Sequence, residues 1–101
     1  MRVPSNQEDS LLSDYMFTVI IPVFNGEKKL PLTLNSLQRQ THESYEIIVV
    51  DDASTDNTVQ VASEGGAKII RLGLNMGPAT ARNKGAKLAK GHYLLFTDSD
   101  V

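Results

Sequence analysis

The sequence has 101 residues, enough for one small domain with a buried core and too few for a second. Its formal net charge is -2, with acidic and basic residues interspersed, so it offers no basic stripe to nucleic acid and no polybasic anchor to a membrane surface. Cysteine is absent, which excludes a disulfide framework and a thiolate metal site, and no stretch approaches the ~18 apolar residues of a membrane span.

Residues 1–15 read as a polar leader, expected to be disordered; they lack the apolar run of a signal peptide, and a soluble cytoplasmic domain is the expectation. The periodic pattern occupies residues 16–101. "FTVIIPVFN" (Phe17 to Asn25) is an apolar, β-branched run that suits a strand buried on both faces. Leu30, Leu34 and Leu37 then follow helical spacing, with Pro31 near the first turn, where its missing N–H costs least. "YEIIVVDDAS" (Tyr45 to Ser54) reads as a second strand. Thr55 or Asp56 is placed to cap a short helix carrying Val59 and Ala62, which Gly65 and Gly66 end. "AKIIRLG" (Ala67 to Gly73) is a third strand. A third helix opens at Gly77 and Pro78, with Ala81, Gly85 and Ala89 giving it a small inner face. "HYLLFTD" (His92 to Asp98) is a fourth strand.

This alternation predicts an α/β fold: a Rossmann-like, doubly wound parallel sheet of about four strands in the order 3-2-1-4, with right-handed crossovers. In that order the Tyr93 to Thr97 strand is an apolar edge, and self-association through it is expected. Ligands in such sheets bind beyond the carboxyl ends of the strands. Of the seven Asp residues, Asp51, Asp52, Asp56, Asp98 and Asp100 fall at or just after such ends.

Asp98 and Asp100 are two residues apart, so on a continuing strand they face one side, about 6.6 Å apart. Oxygen donors of this kind suit a hard cation, Mg²⁺ or Mn²⁺, that keeps positions open for substrate phosphates. They equally suit a solvated turn. Asp51 and Asp52 emerge from an apolar strand, so their desolvation calls for partners. A capping role is expected for Asp51 or Asp56 and a functional one for Asp52.

"IPVFNGE" (Ile21 to Glu27), "VVDDASTDNT" (Val49 to Thr58), "NMGPATARNKGA" (Asn75 to Ala86) and "GHYLLFTDSD" (Gly91 to Asp100) together resemble family 2 glycosyltransferases of the GT-A fold. These are inverting enzymes that use nucleotide sugars. The resemblance covers the N-terminal, nucleotide-sugar-binding half and implies a hexosyltransferase parent, in cell-wall or polysaccharide biosynthesis, with a UDP-sugar donor and Mn²⁺ or Mg²⁺. It places Pro22 and Phe24 against the nucleotide base, Phe24 lacking the hydroxyl of the more frequent Tyr. Asp52 would accept the imide N–H of a pyrimidine. Asn75 to Pro78, with Gly77 among them, would bring backbone N–H groups at a helix N-terminus to the diphosphate. Arg82 is a candidate cation for that phosphate or a structural ion-pair partner, and Asn83 is expected to tie helix to loop. Asp100 would ligate the metal directly, with Asp98 binding metal or a sugar hydroxyl. No residue here suits a catalytic base: His42 and His92 read as solvated or capping. The base is therefore expected beyond Val101, the 101 residues alone are expected to be inactive, and the parent could be membrane-associated.

Two other readings stay open. "LLFTDSDV" also resembles the first motif of haloacid dehalogenase-like phosphatases, with Asp98 as nucleophile and Asp100 as acid/base, though that reading leaves "VVDDASTDNT" unexplained. A non-catalytic nucleotide-binding or interaction module is the other.

Overall fold

The computed structural model describes residues 15–40 and 44–98. Along them run β1 (Phe17–Val23), α1 (Leu30–Gln40), β2 (Tyr45–Asp51), α2 (Thr58–Glu64), β3 (Lys68–Arg71), α3 (Pro78–Leu88) and β4 (Tyr93–Phe96). The strands form one parallel sheet in the order β3-β2-β1-β4, as the sequence pattern predicts. The expectations for residues 1–14, His42 and Asp100 concern residues outside those described. Tyr15, which the sequence pattern assigns to the leader, is joined to the sheet: its carbonyl accepts the His92 N–H at 3.3 Å and its ring lies 5.2 Å from Lys68 Nζ.

The two central strands are apolar throughout because both faces are covered. Val19, Ile21, Val23, Ile47 and Val49 pack with Leu30 and Leu34 of α1 and Ala62 of α2 on one face. Ile20, Ile48 and Val50 pack with Ala81 of α3 on the other. Period-two alternation along β1 and β2 therefore sorts one continuous apolar run into two cores. Pro22 is tolerated in a central strand for a local reason. The Ile20 carbonyl, two residues earlier, accepts from Thr97 on the β4 side, and β4 pairs with β1 only through Ile20. The missing N–H of Pro22 thus faces the side where no ladder continues.

Gly85 sets how closely α3 approaches. A Cβ there would lie 2.6 Å from Ile20 Cγ2 and 3.1 Å from Val50 Cγ2, both in buried residues. Ala81 and Gly85 are the buried positions of this helix. Ala89, expected on the same face, lies past its end in extended backbone. The end of β4 is the contrast: Tyr93, Leu94, Leu95 and Phe96 are 61%, 41%, 47% and 49% exposed. The fourth strand is an uncovered apolar edge.

At the amino-terminal edge of the sheet, a charged side chain that the apolar pattern conceals closes the structure. Glu46, 5% exposed, accepts from Thr18 Oγ1 at 2.6 Å, Lys68 Nζ at 2.8 Å and the Lys90 N–H at 2.6 Å. The Gly91 N–H in turn donates to Thr18 Oγ1 at 2.8 Å. One carboxylate thereby joins β1, β2, β3 and the turn before β4. Burial pushes its pKa up, but the hydrogen bonds from Lys68, Thr18 and Lys90 outweigh burial and hold it below the ordinary value.

Two predictions follow from this packing. Gly85→Ala overpacks the α3 face and should destabilise the fold by about 1 to 3 kcal/mol in urea unfolding; an unchanged midpoint would mean that the helix moves away freely. Glu46 has a depressed pKa in the fold, so its contribution is present above the ordinary carboxyl value of 4.5 and is lost as pH falls through the depressed value. Unfolding free energy should therefore drop below pH ~4.5, and Glu46→Gln, measured across the same range, should flatten that drop.

Candidate functional site

The carboxyl ends of β1 and β2 stand level with each other. Val23 pairs with Asp51, and the Asp52 N–H donates to the Val23 carbonyl at 2.8 Å, which extends the ladder by one step and brings Phe24 beside Asp52. Successive residues of a strand point to opposite faces. Asp51 and Asp52, adjacent in sequence, are consequently sent to different helices.

Asp51 turns toward the α1/α2 face and is fully buried. Its Oδ2 accepts a long bond from the Ser54 N–H at 3.4 Å and lies 3.9 Å from Arg71 Nε, while Oδ1 has no partner among the described residues. Asp52 turns toward α3 and is 5% exposed. Its Oδ1 accepts the Met76 N–H at 2.6 Å and its Oδ2 the Gly77 N–H at 2.9 Å, so one carboxylate holds the two amides that lead into α3. Asn75 adds a longer bond, Nδ2 to the Asp52 carbonyl at 3.4 Å. Gly77, with φ of 92°, is the N-cap of α3, and Pro78 follows in the first turn, where no N–H is needed.

Pro22, Val23, Phe24, Asp52 and Pro78 bound a cavity of about 210 Å³. Phe24 offers an exposed ring and Asp52 offers carboxylate lone pairs beyond those that the two amides use. An aromatic face and an acceptor in one cleft suit a planar ring that carries an N–H. Of the residues expected to form a site, Pro22, Phe24 and Asp52 are thus brought together. Asn75 and Gly77 stand directly behind Asp52, and the Met76 and Gly77 amides expected at a diphosphate are donated to Asp52 in this structure. Arg82 lies one turn into α3 and has neither an ion pair nor a hydrogen bond among the described residues. Asn83, expected to tie helix to loop, is exposed and makes no side-chain bond among them.

Asp98 is exposed just beyond β4, at the same carboxyl edge of the sheet. The β1/β4 boundary is where the winding of the sheet reverses, the place at which open α/β sheets form a crevice. Asp98 supplies one hard oxygen donor there, in keeping with a divalent cation, and no group of three or more His, Cys, Asp or Glu gathers among the described residues. His92 lies at the opposite, amino-terminal edge.

Behind the cavity, the loops after β1 and β2 are fastened to each other. Asn25 N–H donates to Ser54 Oγ at 2.8 Å, and Asn25 Oδ1 accepts from Thr55 N–H at 2.8 Å and Thr55 Oγ1 at 3.3 Å. Gly26 N–H donates to Thr58 Oγ1 at 2.9 Å, and Glu27 N–H to Asp56 Oδ2 at 3.2 Å. Glu27 accepts from the Asn57 N–H at 3.3 Å. The N-cap of α2 is Asn57, which makes no side-chain capping bond. Asp56 does that work from one residue upstream, accepting the Thr58 N–H at 3.0 Å as well as the Thr58 hydroxyl. The Thr58 hydroxyl is the main cause that holds the Asp56 pKa below its ordinary value. Sequence reading does not connect "FNGE" with "ASTDN". Their richness in Asn, Ser, Thr, Asp and Glu was the available signal that they bond to each other.

Residues 18–101 match the family model described as glycosyl transferase family 2. The chain is 42% identical over 91 residues to a poly(ribitol-phosphate) beta-glucosyltransferase of Bacillus spizizenii, covering 82% of this chain and 14% of that protein. Residues 1–349 of S. aureus TarS in complex with UDP-GlcNAc superpose with a TM-score of 0.79 at 41% identity, covering 83% of this chain and 26% of that one. Glucosyl-3-phosphoglycerate synthase from Mycobacterium tuberculosis, solved with Mn²⁺, UDP and glucosyl-3-phosphoglycerate, shares the fold with a TM-score of 0.73 at 20% identity, covering 96% of this chain and 39% of that one. The chain thus spans well under half the length of these proteins. The family match takes in "VVDDASTDNT" together with the final D-x-D, which the phosphatase reading leaves apart. This chain belongs to glycosyl transferase family 2 and carries part of its nucleotide-sugar-binding domain.

Proposed function

We propose that the chain is the donor-binding part of an inverting glycosyltransferase that takes a UDP-sugar and, with a divalent cation, passes the sugar to an acceptor hydroxyl. The observation that carries this reading is the cleft bounded by Pro22, Phe24, Asp52 and Pro78 at the carboxyl edge of the sheet. Phe24 stacks on the base, Pro22 and Pro78 flank it, and Asp52 accepts the imide N–H through lone pairs that Met76 and Gly77 leave free. The Met76 and Gly77 amides hold that carboxylate in place, and Asn75 bonds the Asp52 main-chain carbonyl. Arg82, without a partner among the described residues, supplies positive charge toward the diphosphate. The UDP-sugar complex of TarS, at 41% identity, supports the donor class.

Asp98 and Asp100 would hold Mn²⁺ or Mg²⁺, which offsets the charge that builds on the departing nucleoside diphosphate. The acceptor oxygen forms its bond to the anomeric carbon as the bond to the diphosphate oxygen breaks with its electron pair. The hydroxyl proton passes to a base, and neither histidine of this chain is assigned that part. The parent's place in cell-wall or polysaccharide synthesis is supported by the ribitol-phosphate polymer named for the Bacillus relative. No helix among the described residues is long and apolar enough to cross a membrane.

UDP should bind better than CDP, because cytosine presents a lone pair where uracil presents an N–H. Asp52→Ala should cost UDP about 1.5 to 3 kcal/mol, roughly ten- to a hundredfold, and narrow the gap between the two nucleotides. Asp100→Ala should instead remove Mn²⁺ dependence and keep the base preference. Calorimetric titration of both nucleotides with and without Mn²⁺ gives the comparison, and equal affinity for the two in the unmutated protein would exclude Asp52 as the reader of the base.

The 101-residue chain is also expected to associate through β4, whose outer edge presents unpaired backbone N–H and C=O groups and whose apolar side chains are about half exposed. Sedimentation velocity should show concentration-dependent dimers or larger species, and Leu95→Lys should shift them to monomer. A monomer at high concentration, with slowly exchanging β4 amides, would refute this.

A further inference from the structure

Phe24 and Asp52, side by side in the lining of the donor cleft, are each followed by a residue in the left-handed region: Asn25 with φ of 52° and Ala53 with φ of 66°. These are the only such non-glycine residues among those described. Each turns its chain sharply at the point where a wall of the cleft ends. Left-handed backbone is unfavourable for an L-residue, least so for Asn, and persists where surrounding structure fixes it. What fixes it here is a reciprocal pair of bonds between the loops: the Asn25 N–H to Ser54 Oγ at 2.8 Å, and the Thr55 N–H to Asn25 Oδ1 at 2.8 Å.

Asp52 is anchored independently of these bonds, by the Met76 and Gly77 amides. Phe24 has no such second anchor. It is 51% exposed and stands beyond the last paired residue of β1, between the ladder and the left-handed turn. The backbone that carries its ring is thus held, on the side away from the ladder, by the turn at Asn25.

We propose that Asn25 is the positioning residue of the donor cleft, pinning Phe24 over Asp52 through its bonds to Ser54 and Thr55. This rests on the donor-site reading above and adds to it a residue that touches no ligand. Asn suits the position on two counts: it tolerates the left-handed backbone, and its side chain supplies the acceptor for Thr55. Gly satisfies the first alone, and Asp satisfies both.

The test is a double-mutant cycle on UDP binding, in the protein expressed from its own reading frame, with Mn²⁺-pyrophosphate as a probe that lacks the base. Asn25→Gly should weaken UDP about five- to tenfold, the loss expected from one or two hydrogen bonds, and leave pyrophosphate unchanged. In a Phe24→Ala background, Asn25→Gly should change UDP affinity less than about twofold, because the residue through which it acts is gone. Asn25→Asp should restore UDP affinity to within about twofold of the unmutated protein. Ser54→Ala, a milder cut of the same fastening, should repeat the pattern if Asn25→Gly does not fold. Equal losses with and without Phe24, or equal losses of UDP and pyrophosphate, would overturn the positioning role while leaving the donor site standing. Failure of the unmutated protein to bind UDP would overturn both.

Discussion

A carboxylate removed from water must be met by donors, and in this chain the way Asp52 meets that requirement determines the shape of the cleft. Its donors are the two amides that enter α3, so satisfying the charge also fixes where the third helix begins. Pro78, the next residue, then falls into place as the wall opposite Phe24. A group needed to stay charged within the sheet edge and a helix needing partners for its first N–H groups solve each other's problem. The cleft is the space left between them.

The two edges of the sheet are built on opposite plans. At the amino-terminal edge Glu46 takes donors from three separate segments, on both of its oxygens. At the carboxyl-terminal edge the polar groups are only half used: Asp52 retains lone pairs, Asp51 keeps an oxygen with no partner among the described residues, and Asp98 stands in the open. Glu46, Asp51 and Asp52 are buried alike, and it is the supply of donors from within the chain that differs. The closed edge makes the strands a fixed base from which the open edge projects.

The strand order was legible because four apolar runs separated by helical spacing admit few arrangements; Asp52 stood out as a carboxylate at the carboxyl end of such a run, whereas Pro22 and Phe24 were legible only through the family resemblance. The partners of Asp52 were not, since Met76 and Gly77 lie far along the chain and backbone amides have no signature in a sequence. Glu46 was hidden for a related reason: one charged residue in "YEIIVV" looks like a pause in the pattern until Thr18, Lys68 and Lys90 are seen to converge on it. Asn25 was read only as the end of the first apolar run. Asp56 caps the start of α2 as the sequence suggests, one residue upstream of the formal N-cap, whereas α3 stops before Ala89. Arg82 has no partner among the described residues, so its part in the site rests on resemblance and position rather than on a contact.

Gly85 has a mechanical meaning beyond the space it saves. It is where α3 lies tightest on the sheet, so the helix behaves as a beam resting on a fulcrum, with Gly77 at the end of an arm about 12 Å long at 1.5 Å per residue. A tilt of about 5° about that fulcrum would carry the Gly77 amide about 1 Å, enough to part it from the Asp52 carboxylate. The tolerance of the cleft is thus set deep in the core, by the bare backbone of a residue that no ligand reaches.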